Sequence, residues 1–149
     1  LIFDFNNGTA IHKQWYESGE KESEGSAKLG ILNGLHISWY KNGNKQFQEF
    51  YKDGRLEGVH KQWYENGQIK VEGFYKDGEL NGISKQWYES GQKKSVGTFK
   101  DGEYDGLLTT WYRNGQKSSV GTLNNGFPIS FKRWNEDGSE MQKVKVEQN

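Results

Sequence analysis

The sequence predicts an all-β protein: a single elongated antiparallel sheet, built as a meander of tandem β-hairpins with a repeat length of about 24 residues. Three observations support this prediction. One pentapeptide recurs along the chain, the runs between its copies are short and β-prone, and turn signals of the Asn-Gly and Asp-Gly type separate those runs. No helical periodicity competes with them. We therefore expect residues 1–149 to form one repeat domain of about six units, with atypical units at both ends.

The recurring stretch is Trp63-Tyr64-Glu65-Asn66-Gly67. The other copies begin at Trp15, Trp39, Trp87 and Trp111, and a degenerate copy begins at Trp134. Successive tryptophans are separated by the same interval along the chain, which is shortened by one residue only before the last copy. One periodic position therefore accounts for every Trp of the chain. A fixed period of this length indicates a repeat architecture.

Composition supports a thin sheet better than a compact core. Leu, Ile, Val and Phe together make up only about a fifth of the chain, a share at the edge of the range expected of disordered sequences. However, Phe, Trp and Tyr account for 15% of the residues and the net charge is zero, which does not suit a solvated tail. In a repeat stack, each unit can bury its aromatic residues against its neighbours.

The absence of certain residues and segments from the sequence excludes several kinds of site. No cysteine is present, so the chain has no disulfide framework, thiolate metal site or thiol nucleophile. No apolar run has membrane-spanning length, and the sequence does not begin with a basic segment followed by an apolar one, as a signal peptide would. Met141 is the only methionine, so Leu1 is not a translation start, and we expect the chain to have been processed or cut from a longer one. The compartment stays unknown.

Each unit is predicted to hold two strands and two turns. In the third unit the strands run from about Val59 to Tyr64 and from Ile69 to Lys76. The first turn follows Trp-Tyr, and the second is an Asp-Gly or Asn-Gly pair such as Asp77-Gly78. We expect a leucine or tyrosine two residues after this second turn to lie as an apolar plug under the loop. These plug residues are Leu32, Leu56, Leu80 and Tyr104.

Register depends on the first turn, because a slip of one residue moves every side chain to the opposite face. A three-residue loop with a left-handed glycine would place Trp63 opposite Ile69 and Val59 opposite Gly73, whereas a two-residue loop would place Trp63 opposite Lys70. We prefer the first alternative. It predicts one face that carries Val59, Trp63, Ile69, Val71 and Tyr75.

The two ends depart from the pattern. Pro128, Ile129 and Ser130 replace the usual residues of the last unit, and Lys143–Val146 reads as a lysine-bearing edge strand. Proline and lysine at an edge discourage the addition of further strands. We expect no break in the pattern between the ends, and therefore no catalytic centre.

Trp-Tyr-x-x-Gly, followed by an aromatic-Lys-Asp-Gly and a Leu-x-Gly, resembles the MORN repeat over about residues 3–140. More narrowly, it is similar to a bacterial MORN variant of the antitoxin type. The resemblance implies tandem β-hairpins in an elongated grooved sheet, with roles in scaffolding, protein binding and membrane-lipid binding. It implies no catalytic residues.

The only histidines, His12, His36 and His60, occupy one column three residues before Trp. Equivalent positions in neighbouring repeats lie about 9.6 Å apart, too far for ligands that each approach one zinc ion to about 2.1 Å. We therefore interpret them as surface positions and predict no metal site and no cofactor. Asp77–Gly82 resembles the start of a calcium loop, but Tyr88 stands where the bidentate Glu belongs.

A lysine column six residues after Trp raises the question of an anionic surface. At about 1 kcal/mol per lysine, its four members would give about 4 kcal/mol, which corresponds to a millimolar affinity. This supports a weak association with anionic lipid, and zero net charge argues against nucleic acid. The column consists of Lys21, Lys45, Lys93 and Lys117.

We predict a non-catalytic module that scaffolds or binds another protein through a concave aromatic face or rim, because aromatic residues supply much of the binding energy of interfaces. The alternatives are an antitoxin-like module that sequesters a toxin and a lipid-associated scaffold. The candidate binding residues are Trp39, Tyr40, Trp63, Tyr64, Trp87, Tyr88, Trp111 and Tyr112.

Overall fold

The computed structural model describes residues 2–6 and 8–141 of the chain, with side chains from residue 8 onwards. This part contains no helix and fourteen strands. The strands are β1 (Ile2–Asn6), β2 (Thr9–Trp15), β3 (Lys21–Lys28), β4 (Ile31–Trp39), β5 (Lys45–Lys52), β6 (Arg55–Leu56), β7 (Gly58–Trp63), β8 (Ile69–Lys76), β9 (Glu79–Leu80), β10 (Gly82–Trp87), β11 (Lys93–Lys100), β12 (Glu103–Trp111), β13 (Lys117–Asn124) and β14 (Phe127–Arg133).

All of these strands belong to one sheet, and sequence neighbours pair antiparallel along it. Only the two-residue strands β6 and β9 lie off the main path, where they pair with β5 and β8. The predicted fold class is therefore confirmed: an open antiparallel meander of hairpins. The predicted edge strand Lys143–Val146 lies outside the described residues.

The first turn of each unit has the predicted three-residue geometry. In the third unit, Trp63 lies opposite Ile69, and Gly67 adopts a left-handed φ of 85°. The amide of Gly67 donates to the Tyr64 carbonyl at 2.9 Å, and the amide of Tyr64 donates to the Gln68 carbonyl at 2.8 Å. The predicted pairing of Trp63 with Ile69 is confirmed.

The rest of the predicted register is wrong, because a β-bulge follows the turn. Trp63 pairs with Ile69 but Gln62 pairs with Val71, so one extra residue is accommodated on β8. Beyond this bulge Val59 lies opposite Phe74, and Gly73 lies opposite His60. The same shift occurs in the equivalent hairpins β2–β3, β4–β5, β10–β11 and β12–β13.

The bulge divides the side chains between two faces differently from the prediction. We call the side that bears Val59, Lys61, Trp63, Glu72 and Phe74 the tryptophan face, together with the equivalent residues of the other repeats. The opposite side is the glycine face. It carries His60, Gln62, Val71, Gly73 and Tyr75 and their equivalents, so the predicted placement of Val71 and Tyr75 beside Val59 is wrong.

The glycine face is the packed side of the sheet. Glycines along it leave room for a side chain from the next strand, because a Cβ atom at Gly73 would stand 2.8 Å from Leu80 Cδ1 and one at Gly97 would stand 2.7 Å from Tyr104 Cε1. Leu80 and Tyr104 are two of the predicted plug residues. Among the described residues, the buried side chains that belong to this face are Ser23, Ser84 and Leu123, and no large side chain is fully buried.

Tyrosine hydroxyls join successive repeats along the Trp end of the strands. Tyr64 Oη donates to the Trp87 carbonyl at 2.8 Å, so the second residue of each Trp-Tyr pair is bonded to the Trp of the next unit. The other four bonds are Tyr16 to Trp39, Tyr40 to Trp63, Tyr88 to Trp111 and Tyr112 to Trp134. These tyrosines therefore act first as staples between repeats.

The second turns join the repeats along the opposite end. Asp77 and Gly78 both have positive φ, 53° and 91°, which is the geometry of a type I′ hairpin turn. The amide of Gly78 donates back to the Leu56 carbonyl of the preceding turn at 2.9 Å. Equivalent bonds run from Gly54 to Leu32, from Gly102 to Leu80 and from Gly126 to Tyr104.

Replacing Tyr64 by Phe should lower the free energy of unfolding by about 1 kcal/mol, because the Trp87 carbonyl loses a donor while the ring stays in place. Denaturant unfolding of the variant measures this loss. Tyr104→Phe is the matched control, since the Tyr104 hydroxyl makes no hydrogen bond within the described part of the chain, and its effect should stay within about 0.5 kcal/mol. Equal losses in the two variants would contradict the role of the staple.

Candidate binding surface

The eight aromatic residues predicted to bind a partner divide into two groups. All eight are half-buried. The four tyrosines (Tyr40, Tyr64, Tyr88 and Tyr112) have their hydroxyls bonded to the next repeat, and the four tryptophans (Trp39, Trp63, Trp87 and Trp111) form a row on the tryptophan face. Lysine ammonium groups cover three of these tryptophan rings at 5.3–5.9 Å, from Lys21 over Trp39, Lys45 over Trp63 and Lys93 over Trp111. The tryptophan row is therefore available only in part.

An exposed aliphatic row runs parallel to the tryptophan row on the same face, and one column of side chains lies between the two rows. It occupies the position four residues before each Trp, and its members are 38–58% exposed. The residues of this aliphatic row are Ile11, Leu35, Val59, Ile83 and Leu107. Two phenylalanines widen it, because Phe50 lies opposite Leu35 and Phe74 lies opposite Val59, and both are exposed. The sequence shows this column of aliphatic residues. Without the bulge, however, the column is predicted to lie on the same face as Val71 and Tyr75 and to pack against them.

One open depression of about 290 Å³ lies near the start of the aliphatic row. Its apolar lining comes from Ile11, Leu35, Ile37 and Trp39, and Glu24, Gly25 and Ser26 complete it. Ile37 takes the column position that Lys13, Lys61 and Lys85 hold in other repeats. This replacement removes a charge from the middle of the face and leaves an apolar recess.

Basic residues border the aliphatic row on both sides. On the Trp side, Lys13 and Lys61 lie 3.8 and 3.3 Å from Glu24 and Glu72, and Lys85 lies 3.8 Å from Glu72. On the other side, strand alternation places a second lysine column at the ends of β3, β5, β8 and β11. Its members are Lys28, Lys52, Lys76 and Lys100, and the strand pairing sets Arg55 opposite Lys52, Glu79 opposite Lys76 and Glu103 opposite Lys100. Carboxylates therefore accompany the basic residues on both sides of the row, and at the second turns Asp53, Glu57 and Asp77 line one depression together with Lys52 and Arg55.

The glycine face carries a break in the repeat pattern between the ends. The position ten residues after Trp is Gly25, Gly73, Gly97 and Gly121 in four repeats, but Glu49 in the second. The expectation that the pattern breaks only at the ends is therefore wrong, and a comparison of this column along the sequence would have found Glu49. Its side chain is half-buried between the histidines of the two flanking strands.

The three histidines lie on the packed glycine face and are not simple surface positions. Glu49 Oε1 lies 3.2 Å from His60 Nδ1, and Glu49 Oε2 lies 3.8 Å from His36 Nδ1. Both Nδ1 atoms are buried and neither meets hydrogen-bond geometry. The Tyr51 hydroxyl donates to Glu49 Oε2 at 3.0 Å, and the ring centroids of His12 and His36 are 5.6 Å apart.

The environment of this cluster shifts several pKa values. The adjacent His60 imidazole lowers the pKa of Glu49 below its ordinary value, and the Tyr51 hydroxyl adds to this effect against the opposing influence of burial. Burial lowers the pKa of His36, although Glu49 partly offsets it. Burial and the neighbouring carboxylate raise the pKa of Tyr51 to about 12. At neutral pH the cluster therefore holds one carboxylate beside a neutral His36.

We expect the free energy of unfolding to fall as the pH drops from about 7 to 5. The unfolded chain protonates His36 near its ordinary pKa of about 6.5, whereas the folded chain resists protonation, so stability is present above that pH and lost below it. The lowered pKa of Glu49 acts in the same direction at lower pH. Urea unfolding at several pH values measures the loss.

His36→Ser is the matched variant for this prediction, because Ser84 occupies the same column. The variant should lose less stability between pH 7 and 5 than the wild type does. The titratable groups that face His36 are His12, Glu49 and Tyr51, and His60 contacts Glu49 from the next strand. Identical pH dependence in the two proteins would show that His36 does not carry the effect.

Carboxylates of the second turns are engaged in bonds between repeats. Asp53 Oδ1 accepts from Asn33 Nδ2 at 3.2 Å, and Glu57 Oε2 accepts from the Asp77 amide at 2.9 Å. Within residues 8–141, the structure brings together no group of three or more His, Asp or Glu side chains suited to a metal ion. The described residues also include no helix of the length and apolarity that crossing a bilayer requires.

The comparisons with known proteins agree with the repeat pattern. Three successive stretches of the chain, residues 32–53, 56–77 and 80–101, match the family described as MORN repeat variant. The comparison with curated proteins finds no match. The matched stretches lie in the middle of the sheet, where hairpins β4–β5, β7–β8 and β10–β11 repeat with the same turns and the same bulge. The chain thus contains at least three tandem MORN-type repeats.

Proposed function

We propose that this protein is a non-catalytic repeat module that binds another protein through its tryptophan face. MORN repeats commonly serve as protein- or membrane-binding modules, which agrees with this proposal. The residues of the face differ from those expected from the sequence. The exposed aliphatic row, more than the stapled tyrosines, offers the contact surface.

One observation carries the proposal: the aliphatic row is exposed on the side of the sheet that does not pack. Leu35, Val59 and Ile83 would gain free energy if a partner covered them, because burial of apolar surface stabilises a complex by about 25 cal/mol per Å². A continuous exposed apolar patch with a polar border marks an interaction site in soluble proteins. The half-buried tryptophans on the same face can add anchoring contacts.

A capture experiment with surface variants tests this proposal. The tagged wild-type chain is used to capture proteins from lysate of the source cell, in parallel with the double variant Val59→Ser/Ile83→Ser. Leu29→Ser is the matched control, because Leu29 is 85% exposed but lies in a turn away from the row. We expect the wild type and the control to capture the same protein and the double variant to lose it.

A partner retained by the double variant would contradict the assignment of the tryptophan face. Co-sedimentation with vesicles that contain phosphatidylserine provides a second measurement on the same three proteins. Association with vesicles that depends on the row, without any captured protein, would favour the lipid-associated scaffold over protein binding.

A narrower form of the proposal is that the partner is a toxin, which the chain sequesters. Its support is the resemblance of the repeats to the antitoxin-type MORN variant. Co-expression tests it: the chain should restore growth to cells that produce the captured protein, and Val59→Ser/Ile83→Ser should not. A captured protein that does not impair growth would contradict the narrower form and leave the binding module in place.

A further inference from the structure

Two of the three histidines lie much closer together than their strands do. His12 on β2 and His36 on β4 both lie opposite Gly25 of β3, so their backbones are two strands, or about 9.6 Å, apart. Their ring centroids are nevertheless only 5.6 Å apart, at an interplanar angle of 30°. The backbone spacing alone therefore does not exclude a metal ion that the two rings share.

Gly25 allows this approach because it has no side chain. A Cβ atom there would stand 2.6 Å from His36 Cδ2, 2.8 Å from His12 Cε1 and 3.2 Å from His12 Nε2. At the equivalent Gly73, the nearest atom to such a Cβ is Cδ1 of the plug residue Leu80. At Gly25 the two imidazoles fill that space instead, and each leans over the glycine from its own side.

The separation of the two rings suits a pair of ligands to one ion. Zinc takes imidazole nitrogens at about 2.1 Å in tetrahedral geometry, which sets two ring centroids about 5.3 Å apart. The centroids of His12 and His36 therefore need to move by only about 0.3 Å relative to each other. Rotation about χ2, a torsion with broad energy wells, aims the nitrogens at the ion and leaves each centroid nearly in place.

Glu49 favours the form of His36 that binds a metal ion. Its Oε2 lies 3.8 Å from His36 Nδ1, and a carboxylate at this nitrogen favours the tautomer with the proton on Nδ1 and a free lone pair on Nε2. Metal-bound histidines commonly have a carboxylate in this position. The Tyr51 hydroxyl donates to the same carboxylate oxygen at 3.0 Å and restrains it. Burial also lowers the pKa of His36, so the imidazole is neutral at pH 7, as metal binding requires.

His60, the third histidine of the column, has different neighbours. On one side Glu49 lies between it and His36, and on the other side the next member of the column, across Gly73, is Ser84. His60 therefore has no second imidazole leaning toward it over a glycine. It provides an internal control for the pair formed by the other two histidines.

We propose that His12 and His36 bind one divalent transition-metal ion over Gly25, and that Glu49 orients His36 for this role. Imidazole suits zinc, copper and nickel, whereas magnesium and calcium prefer oxygen ligands. Within residues 8–141 no group of three His, Asp or Glu side chains suits a metal ion, so water fills the remaining positions of this two-histidine site. The ion ties β2 to β4, and thus the first repeat to the second. The inference is independent of the proposed function, which concerns the other face.

Calorimetry with zinc chloride tests this site on the full chain at pH 7.5. We expect one zinc ion to bind per chain and magnesium chloride to give no binding. His12→Ser and His36→Ser should each weaken zinc binding by about tenfold or more, because each removes one imidazole ligand. His60→Ser is the matched control. It removes a histidine of the same column that is not a ligand, and it should bind zinc as the wild type does.

Glu49→Gln tests the positioning role of the carboxylate. It keeps the size of the side chain and removes its charge, and it should weaken zinc binding by about tenfold. Urea unfolding without metal is measured on the same variant, because a purely structural role of Glu49 would change the stability and leave the zinc affinity unaltered. That outcome would overturn the role of Glu49.

Nuclear magnetic resonance of the wild-type chain with added Cu²⁺ locates the site without any variant. The paramagnetic ion should broaden the imidazole signals of His12 and His36 at a lower copper concentration than those of His60. Equal broadening of all three histidines would overturn the proposal. So would zinc binding that His12→Ser leaves intact, an equal loss in His60→Ser and His36→Ser, or no binding at millimolar zinc.

Discussion

Replacing Trp63 by Ala should lower the free energy of unfolding by about 2 kcal/mol and should broaden or split the unfolding transition. A fully buried tryptophan would cost about 3–5 kcal/mol, but Trp63 is only half-buried. Its carbonyl accepts from Tyr40 of the preceding repeat and Lys45 of that repeat covers its ring, while Ile69 of its own repeat lies opposite. Losing the ring weakens a junction in the middle of the stack, which can uncouple the two halves.

Trp134→Ala is the control at the end of the stack. The Trp134 carbonyl also accepts a tyrosine hydroxyl, from Tyr112, and the Trp134 amide donates to the Ser118 carbonyl at 3.0 Å. On its other side Trp134 forms one isolated β-bridge, to Glu140. The loss should be smaller, and the transition should keep nearly wild-type cooperativity, because an end unit frays without dividing the stack. Guanidinium unfolding followed by circular dichroism distinguishes the two. Equal losses with one sharp transition in each variant would indicate a single global core.

Replacing Gly121 by Ala should destabilise the sheet by about 2 kcal/mol, within the range that overpacking usually costs. A Cβ atom at this position would stand 2.6 Å from the Ser130 carbonyl oxygen and 2.6 Å from Phe131 Cδ1. The carbonyl belongs to the backbone of β14, so the strand itself must shift, and the last strand should separate from the sheet first. Hydrogen exchange of the β14 amides measures that separation.

Gly97→Ala is the matched comparison in the same column. There the new Cβ would meet only side-chain atoms, Tyr104 Cε1 at 2.7 Å and Leu108 Cδ1 at 3.2 Å, which can turn aside. Its cost should therefore be lower than that of Gly121→Ala. A larger cost at Gly97 would show that the Tyr104 ring is fixed in place and that backbone contact does not decide the effect.

The fold class and the first turn could be predicted from the sequence because both depend on local chemistry. Gly67 permits the left-handed φ that a three-residue loop needs, and this local preference places Trp63 opposite Ile69. The bulge beside it could not be predicted, because the extra residue on β8 depends on how two twisted strands pair. That one residue moves Val71 and Tyr75 to the opposite face from Val59.

The candidate site was only partly predictable for related reasons. The sequence predicts that the aromatic residues bind a partner, but the hydroxyls of Tyr64 and its equivalents donate to a carbonyl of the next repeat. A Trp-Tyr dipeptide does not indicate which carbonyl the tyrosine hydroxyl will reach. The sequence did contain one indication of this bond, because a tyrosine follows Trp at the same position in five repeats. A half-buried tyrosine at a repeated position usually has a hydrogen-bond partner for its hydroxyl. Glu49 could have been found by aligning the glycine column.

Hydroxyl-radical footprinting tests the central claim that the tryptophan face is left free to bind. The chain is oxidised alone and in complex with the captured partner, and the modification of each side chain is measured by mass spectrometry. We expect Leu35, Val59, Ile83 and Phe74 to be reactive in the free chain and protected in the complex, while Tyr75 on the glycine face keeps the same reactivity in both. Protection of Tyr75 without protection of the aliphatic row would contradict the account.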